Sequence, residues 1–599
     1  MDALLFGDSD PIARHRSRVL SDSGQMQNLP FARAVAQWLR QSGEQDKTLL
    51  LALPGAGVKT RDSGLDRFIT KLYSMQLLAN DLTQTTEVNQ PYLTGLIAPG
   101  DVISLMNPNA GSRHFEFPQI SFDANTAWSV TFVINPSGHE SNVFTNGLIL
   151  GDAFVASTNS QIRLRGNGLG RNLAVNAAGT IVEATSIPLA LGKYNVCQIT
   201  YTPTGTGIGR LVLYVNNQSF SAEGINGYAV FKYLGKNAPA SSTTGFYGAL
   251  PYLRIGGVMS ASQVASETAM LRALIPEIPS VTIGNQTWSI RNIDVAVTPA
   301  GNIIQEMQAN SAVEKLTGWN FTVGWTPLTA SVIDADSFNI DVTNGYLAKT
   351  GVTTVGKYYK ITIAGTSAAG ITNFRILGTA VYKEGLTGSF STEFIVKADA
   401  TALFLRAFGT GQIDITTLSL QELGWTNSTE IYDAVYAATS GDAATKNYAA
   451  LKEAAMWCSH SNTEANQVVF GKIYNGYAAA LLDADMVSSG YGWRVPSQTD
   501  YNTLITTLGG TSIAAGKMKV AGTTYWMTPN EGATNESGFS LVGGGARIDH
   551  NGLFTTLKER GYLWTTTFQY LFALLSNSAN IIGSGGNVKL GCSIRLIKT

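Results

Sequence analysis

Between residues 111 and 282 the chain breaks into short runs of alternating apolar and polar side chains, each bounded by Gly or Asn. A period of two marks strands that bury one face, and many such runs in succession are satisfied by sheets packed face to face. The clearest runs are Ser129-Val-Thr-Phe-Val-Ile, Asn195-Val-Cys-Gln-Ile-Thr-Tyr and Arg210-Leu-Val-Leu-Tyr-Val-Asn-Asn. The pair Asn216-Asn217 suits a tight hairpin turn, because Asn tolerates positive φ. Tyr252-Leu-Arg-Ile-Gly-Gly supplies a closing strand, after which Ser260-x-x-Gln263 reads as a capping box and Pro276 as a helix stop. The pattern predicts an all-β sandwich over 111–282.

The flanks differ. Residues 1–110 read as a helical or mixed region, in which Pro30 opens a helix carrying Phe31, Val35, Trp38 and Leu39, ended by Ser42-Gly43. A second helix is expected from Ser63, where Ser63-x-x-Asp66 precedes the stripe Leu65, Phe68, Ile69, Leu72 and Tyr73. Residues 283–317 read as a linker with a strand or two. A second sandwich is expected over 318–424, where Trp319 and Trp325 precede the run at 330–338. Gly356-Lys-Tyr-Tyr-Lys-Ile-Thr-Ile-Ala-Gly and Asp414-Ile-Thr-Thr-Leu-Ser-Leu supply its alternating strands. Helical spacing returns at 428–438 and 442–457, leading into a C-terminal α+β region over 425–599. The fold class expected is therefore multidomain and mainly β.

Composition narrows the function. With 44% hydrophobic residues in 599 there is ample material for packed cores, whereas only 14% are charged and the net charge is −1. A nucleic-acid binder needs a basic face, so that class is set aside. Low charge with 62 Gly suits β-rich extracellular or virion surface proteins. Three cysteines, Cys197, Cys458 and Cys592, are too few for a disulfide framework. The five histidines, His15, His114, His139, His460 and His550, show no zinc-ligand spacing. Pro54-Gly-Ala-Gly-Val-Lys-Thr lacks the spacing with which a phosphate loop wraps its ligand. The acidic pairs Asp483/Asp485, Asp334/Asp336 and Glu531/Glu536 are read as turn formers or solvated residues rather than as glycosidase carboxyls. No apolar run approaches the roughly 18 residues of a membrane span. The N-terminus lacks the pattern of a secretory signal, so the expectation is synthesis in a cytoplasm and departure as part of a phage particle.

The C-terminal motifs go further. In order they are Gly471-Lys-Ile-Tyr-Asn, Gly492-Trp-Arg-Val-Pro-Ser, Leu508-Gly-Gly, Ala533-Thr-Asn-Glu-Ser-Gly-Phe, Gly561-Tyr-Leu-Trp and Gly591-Cys-Ser-Ile-Arg. Over roughly 455–599 this order resembles the Fibrobacter-type major paralogous domain, which is related to the C-type-lectin-like and formylglycine-generating-enzyme-like fold. The resemblance implies a core of Trp493, Pro496, Gly538, Phe539, Trp564 and Ile594, with Arg494, Asn535 and Glu536 as buried polar latches. The family's usual cysteine positions are not filled here, so neither its disulfide nor formylglycine-generating activity carries over. Thr528-Pro529-Asn530-Glu531 without a W-N-D strand also leaves the calcium-lectin triplet incomplete. The first sandwich resembles a laminin-G or concanavalin-like jelly roll lacking the E-x-D-x-E glycosidase strand. The second resembles carbohydrate-binding-module-like jelly rolls of phage and gut bacterial surface proteins.

Binding is expected where the motifs are not. The stretch 565–587 is rich in Asn, Ser and Gly, which give adaptable contacts, and carries aromatic anchors. Its candidates are Thr567, Phe568, Gln569, Tyr570, Ser576, Asn577, Asn580, Ser584 and Asn587. The resemblance adds that domains of this fold are targets of diversity-generating retroelements, which vary residues near the C-terminus. The expected function is a phage tail-fibre or spike-type receptor-binding protein of a phage infecting Bacteroidetes-type bacteria, with no catalytic residues, metal or other cofactor. It would recognise a host-surface glycan or protein and join other virion proteins through residues 1–110. A symmetric homotrimer is the first expectation. A head fibre or capsid decoration protein, a polysaccharide depolymerase and a bacterial adhesin are the alternatives.

Overall fold

The computed structural model describes residues 11–63, 66–75, 81–95, 101–107, 113–136, 147–151, 161–165, 172–177, 179–235, 248–300, 302–306, 325–327, 330–332, 337–340, 346–377, 381–383, 385–438, 443–567 and 569–599. Among the described residues strand exceeds helix by 43% to 21%, which places the chain in the mainly-β class. It divides into two compact units. One comprises Met1–Glu306, Trp457–Arg547 and Phe554–Thr599, the other Met307–Met456 and Ile548–Leu553.

In the first unit, among the described residues, seventeen strands lying between Thr48 and Gly257 pair into one sheet system around a shared core. Trp128 lies near its centre, stacked at 6.0 Å on both Phe122 and Tyr201, and its indole donates to the Gly227 carbonyl. The turn Asn216-Asn217 adopts positive φ at both residues, 52° and 72°, as the hairpin requires. Helix Ala261–Leu274 starts at the expected box, with reciprocal Ser260 and Gln263 hydrogen bonds. It buries Glu267 against the sheet, where the carboxylate accepts from Thr131, Gln198, Tyr252 and Arg254 at 2.6–2.9 Å. A buried charge so fully paired fixes how the helix docks.

The N-terminal expectations divide. Helix Leu29–Ser42 forms as read, with Asn28 capping the Phe31 amide and Gly43 closing it at φ 72°. The helix expected from Ser63 is instead a hairpin of strands Val58–Ser63 and Asp66–Leu72. The stripe Phe68, Ile69, Leu72 and Tyr73 keeps helical spacing, but a register shift at Lys59/Thr60 breaks strict strand alternation and lets Ile69 and Leu72 both enter the sandwich core. A partner strand decides it, since pairing satisfies the backbone that a two-turn helix leaves open. These strands join the sandwich sheet, so residues 48–107 are built into the fold that the sequence placed after residue 110.

Helix Pro11–Ser21 packs beneath this hairpin through His15, which is 4% exposed and hydrogen-bonds the Ala56 carbonyl through Nε2. Burial lowers its pKa from 6.5 to about 4. The folded imidazole therefore stays neutral while the unfolded chain takes up a proton below about pH 6.5. Stability should fall between pH 6.5 and about 4 and level off below that, by up to about 3 kcal/mol. Thermal melts across that window should show the slope in the wild type and a flatter profile in His15→Gln. Identical profiles would contradict this account.

The segment expected as a linker after residue 283 instead helps to build the C-terminal module. Strands Ser280–Ile283 and Gln286–Ser289 form a hairpin, Trp288 pairs with Ile597, and strand Ile597–Lys598 continues to Trp493–Arg494. The physical reason is Trp288. It is wholly buried and packs against Tyr501 and Phe539 at 5.0 and 5.6 Å. Cys458 and Cys592 are buried and not disulfide-bonded, separated by strand Lys472–Tyr474, which pairs with the strand of one and bridges to the other.

The second unit contains two five-stranded sheets, the expected sandwich, with Tyr359, Ile361, Ile363, Leu403, Leu405 and Ile413 in its core. Helices Ser428–Ala438 and Ala443–Ala454 belong to this unit. Trp319, Asp334 and Asp336 lie outside the described residues, as does His139 of the first unit.

Candidate functional site

Nearly half of the stretch 565–587, expected to be loop, is sheet. Strands Arg560–Trp564, Tyr570–Leu575 and Ile581–Gly585 pair antiparallel in chain order. The run Tyr570-Leu-Phe-Ala-Leu-Leu shows no polar alternation because both of its faces find cover. Inward, Leu563, Phe572, Leu574 and Ile581 enter the module's core. Tyr570 leans the same way, over Gly583, where a Cβ would stand 2.3 Å from the tyrosine hydroxyl. That close approach requires glycine and leaves Tyr570 only half-exposed.

Residues paired across strands share a face, which defines the outward surface. One row is Trp564, Leu571 and Ser584, and the next is Tyr562, Ala573 and Ile582. The first row is covered at its tryptophan and leucine, with the Trp564 indole donating to the Tyr474 carbonyl at 2.8 Å. The second reaches solvent at its two ends. Ile582 is 46% exposed and Tyr562 is half-buried, on either side of the small, buried Ala573. Exposed Arg560 donates to the Tyr562 hydroxyl at 3.1 Å and fixes its tip.

The sequence candidates fall at two ends of this sheet. Thr567 and Gln569 occupy the first turn, with exposed Ser584 and Asn587 near it; Phe568 lies outside the described residues. Asn577 and Asn580 are exposed in the second turn, while Ser576 is buried, its amide donating to the Glu559 carbonyl. Strand Tyr570–Leu575 separates the turns by roughly 17 Å. The nine residues therefore do not make one patch, and the row Tyr562, Ala573 and Ile582 lies at the Asn577–Asn580 end.

Lys519 holds that end in place. Its fully buried ammonium donates to the carbonyls of Glu531, Leu575 and Ser578 at 2.8–2.9 Å. Burial draws its pKa down to about 8. Buried Asn530 donates to the Val520 and Gly522 carbonyls, and the Glu531 amide donates to the Ser576 carbonyl, so the neighbouring loop is tied to the same turn.

Asp483, Asp485 and Glu536 have structural partners, whereas Glu531 is exposed. Asp485 is buried and accepts from Thr298 and Asn302, whereas Asp483 accepts the Val495 amide. Burial raises the pKa of Asp483. Glu536 is exposed on Lys517, not buried as expected of a latch. Arg494 grips Asp500 through two nitrogens at 2.7 and 2.9 Å, and Asn535 holds Ser540 through its amide. His460 is buried between Ser461 and the Thr555 carbonyl. Among the described residues no three His, Cys, Asp or Glu side chains group as metal ligands.

Arg560, Tyr562 and Ile582 are the surface residues that sequence reasoning missed. Tyr562 sat inside a motif read as core, and Ile582 inside a segment read as loop. The alternation Arg560-x-Tyr562-x-Trp564 was the available signal.

Residues 425–598 match the Fibrobacter succinogenes major domain family. No protein with a curated description matches the chain. Among solved structures, it is similar to domain 4 of AbnA, a GH43 extracellular arabinanase from Geobacillus stearothermophilus, in complex with arabinotriose. Identity is 18%, over 31% of this chain and 80% of that one, with a TM-score of 0.19. The Ruminococcus gnavus IT-sialidase CBM40 bound to α2,3 sialyllactose is 10% identical over 28% and 96%, with a TM-score of 0.20. Trypanosoma rangeli sialidase in complex with sialic acid is 9% identical over 41% of this chain and 39% of the sialidase, with a TM-score of 0.28. The chain thus spans well under half of the sialidase.

Proposed function

We propose that the protein is a non-catalytic recognition component of a phage particle, whose C-terminal module engages a glycan or protein on the host surface. The exposed Ile582 and half-buried Tyr562 on either side of Ala573, flanked by Arg560 and the turn Asn577–Asn580, carry this reading. An aromatic ring beside a small residue makes a flat contact shelf, and neutral amides at its rim offer donors and acceptors at modest entropic cost. The use of Asp483 and Asp485 as structural acceptors favours binding over hydrolysis. The low charge of the chain suits a surface-exposed particle protein. Attachment through the N-terminal region and a trimeric arrangement belong to the same proposal.

The test is adsorption of fluorescently labelled full chain to a panel of Bacteroidetes-type cells and their purified capsule. Replacing Tyr562, Asn577, Asn580 and Ile582 together should weaken adsorption about a hundredfold, since a few anchors dominate most interfaces. The melting temperature should stay close to wild type, because these side chains are exposed or half-buried. Wild-type adsorption by the variant would remove the site from this face. New reducing ends in the capsule would instead favour the depolymerase.

A further inference from the structure

A second cleft, of about 310 Å³, opens on the N-terminal sandwich, far along the chain from the C-terminal sheet. Its wall is a row across three neighbouring strands, in which Glu116 stands opposite Thr83 on one side and Tyr233 on the other. Its rim is the segment carrying Thr85, Thr86 and Asn89, and His114 and Gln84 complete the lining. Nearly every group that faces the cleft is a neutral hydrogen-bonding group.

The cleft is organised in advance. Gln84 is 7% exposed, and its Nε2 donates to both the His114 carbonyl at 3.0 Å and His114 Nε2 at 3.1 Å. A carbonyl only accepts, so the atom facing it is the amide nitrogen, and His114 Nε2 must then carry no proton. That fixes the neutral imidazole tautomer protonated on Nδ1. The Gln84 Oε1 accepts the Thr86 amide at 2.9 Å, and the His114 amide donates to the Asn89 carbonyl at 3.0 Å. Rim and wall are thereby tied together before any ligand arrives, which lowers the entropic cost of binding.

The chemistry selects a class. Lys232 lies 3.0 Å from Glu116, so the one carboxylate of the lining is already compensated, and no unpaired charge rewards an ionic ligand. Tyr233 is only 3% exposed and offers no ring face, which disfavours a nucleobase or other aromatic ligand that needs stacking. Hydroxyls, amides and an imidazole around a space of this size match a compact polyol. We infer that this cleft is a separate binding site for one uncharged sugar residue of the hexose class. It stands independently of the C-terminal surface.

Saturation-transfer NMR on the full chain, with the methyl glycosides of glucose, galactose and mannose as probes, tests the assignment. At least one glycoside should receive saturation, and Thr85→Val combined with Asn89→Ala should weaken its binding about tenfold, as loss of two hydrogen bonds predicts. Both residues lie on the rim, and unchanged far-UV circular dichroism would verify the fold. Tyr562→Ala should leave the signal intact. Transfer abolished by Tyr562→Ala but kept in the rim variant would place the sugar on the C-terminal surface and overturn the assignment. Absence of transfer to all three glycosides would overturn it equally.

Discussion

Arg595→Ala is expected to unfold the C-terminal module or cost it more than about 4 kcal/mol. The guanidinium is wholly buried without a carboxylate partner. It donates instead to Asn292 Oδ1 at 2.8 Å, to the carbonyls of Ser289 and Phe539 at 2.8 and 3.1 Å, and to that of Ser540 at 2.9 Å. Burial pulls its pKa down to about 9. The side chain joins three segments distant in sequence: the 289–292 turn, the Phe539-Ser540 loop and the final strand. Alanine strands three buried carbonyls and the half-buried Asn292 amide, and opens a void against the Phe539 ring, over which the guanidinium sits at 4.9 Å. Arg595→Lys should recover only part of the loss, because an ammonium cannot reproduce the planar fork. Denaturant unfolding followed by tryptophan fluorescence measures both. A loss below about 1 kcal/mol for the alanine variant would show that the carbonyls find other donors.

Arg595 also illustrates what the sequence could and could not disclose. Its motif, Gly591-Cys-Ser-Ile-Arg, was recognisable, and Trp493, Phe539, Trp564 and Ile594 are buried as the motif spacing implied. The acceptors on Ser289 and Asn292 were hidden, because they come from a stretch read as linker some 300 positions away in the chain. Local period identified the strands of the first sandwich, the turn at Asn216-Asn217 and the capping box at Ser260, since these depend on neighbours in sequence. It failed at 66–73, where the apolar residues keep helical spacing and a register shift in the strand pairing decides which faces they take. It failed again at Ile581–Gly585, because an edge strand of Ile, Gly and Ser carries almost no alternation. The candidate surface was legible only in its turns. Which turn shares a face with Tyr562 depends on cross-strand register, and register is a tertiary property.

Lys519→Met should cost about 3 kcal/mol or more and also weaken adsorption to cells at temperatures where the module remains folded. Methionine fills the space, so the loss isolates the ammonium. That group is disfavoured by burial, yet it alone brings the Glu531, Leu575 and Ser578 carbonyls to a common point. Without it, three carbonyls would need solvent, and the Asn577–Asn580 turn would keep the Glu531–Ser576 hydrogen bond to the 530–532 loop but lose the ammonium clamp. Asn580, whose amide donates to the Ser578 side chain at 3.0 Å, would move with it. Lys519 touches no ligand in this scheme and acts by positioning. Two measurements separate its roles: denaturant unfolding reports the stranded carbonyls whatever the ligand, and adsorption of the variant, compared with Asn577→Ala and Asn580→Ala, reports the turn. If Lys519→Met lost stability but adsorbed as wild type, the second turn would be scaffold and recognition would rest on Tyr562 and Ile582 alone. If it lost neither, the carbonyl cluster would be no anchor at all.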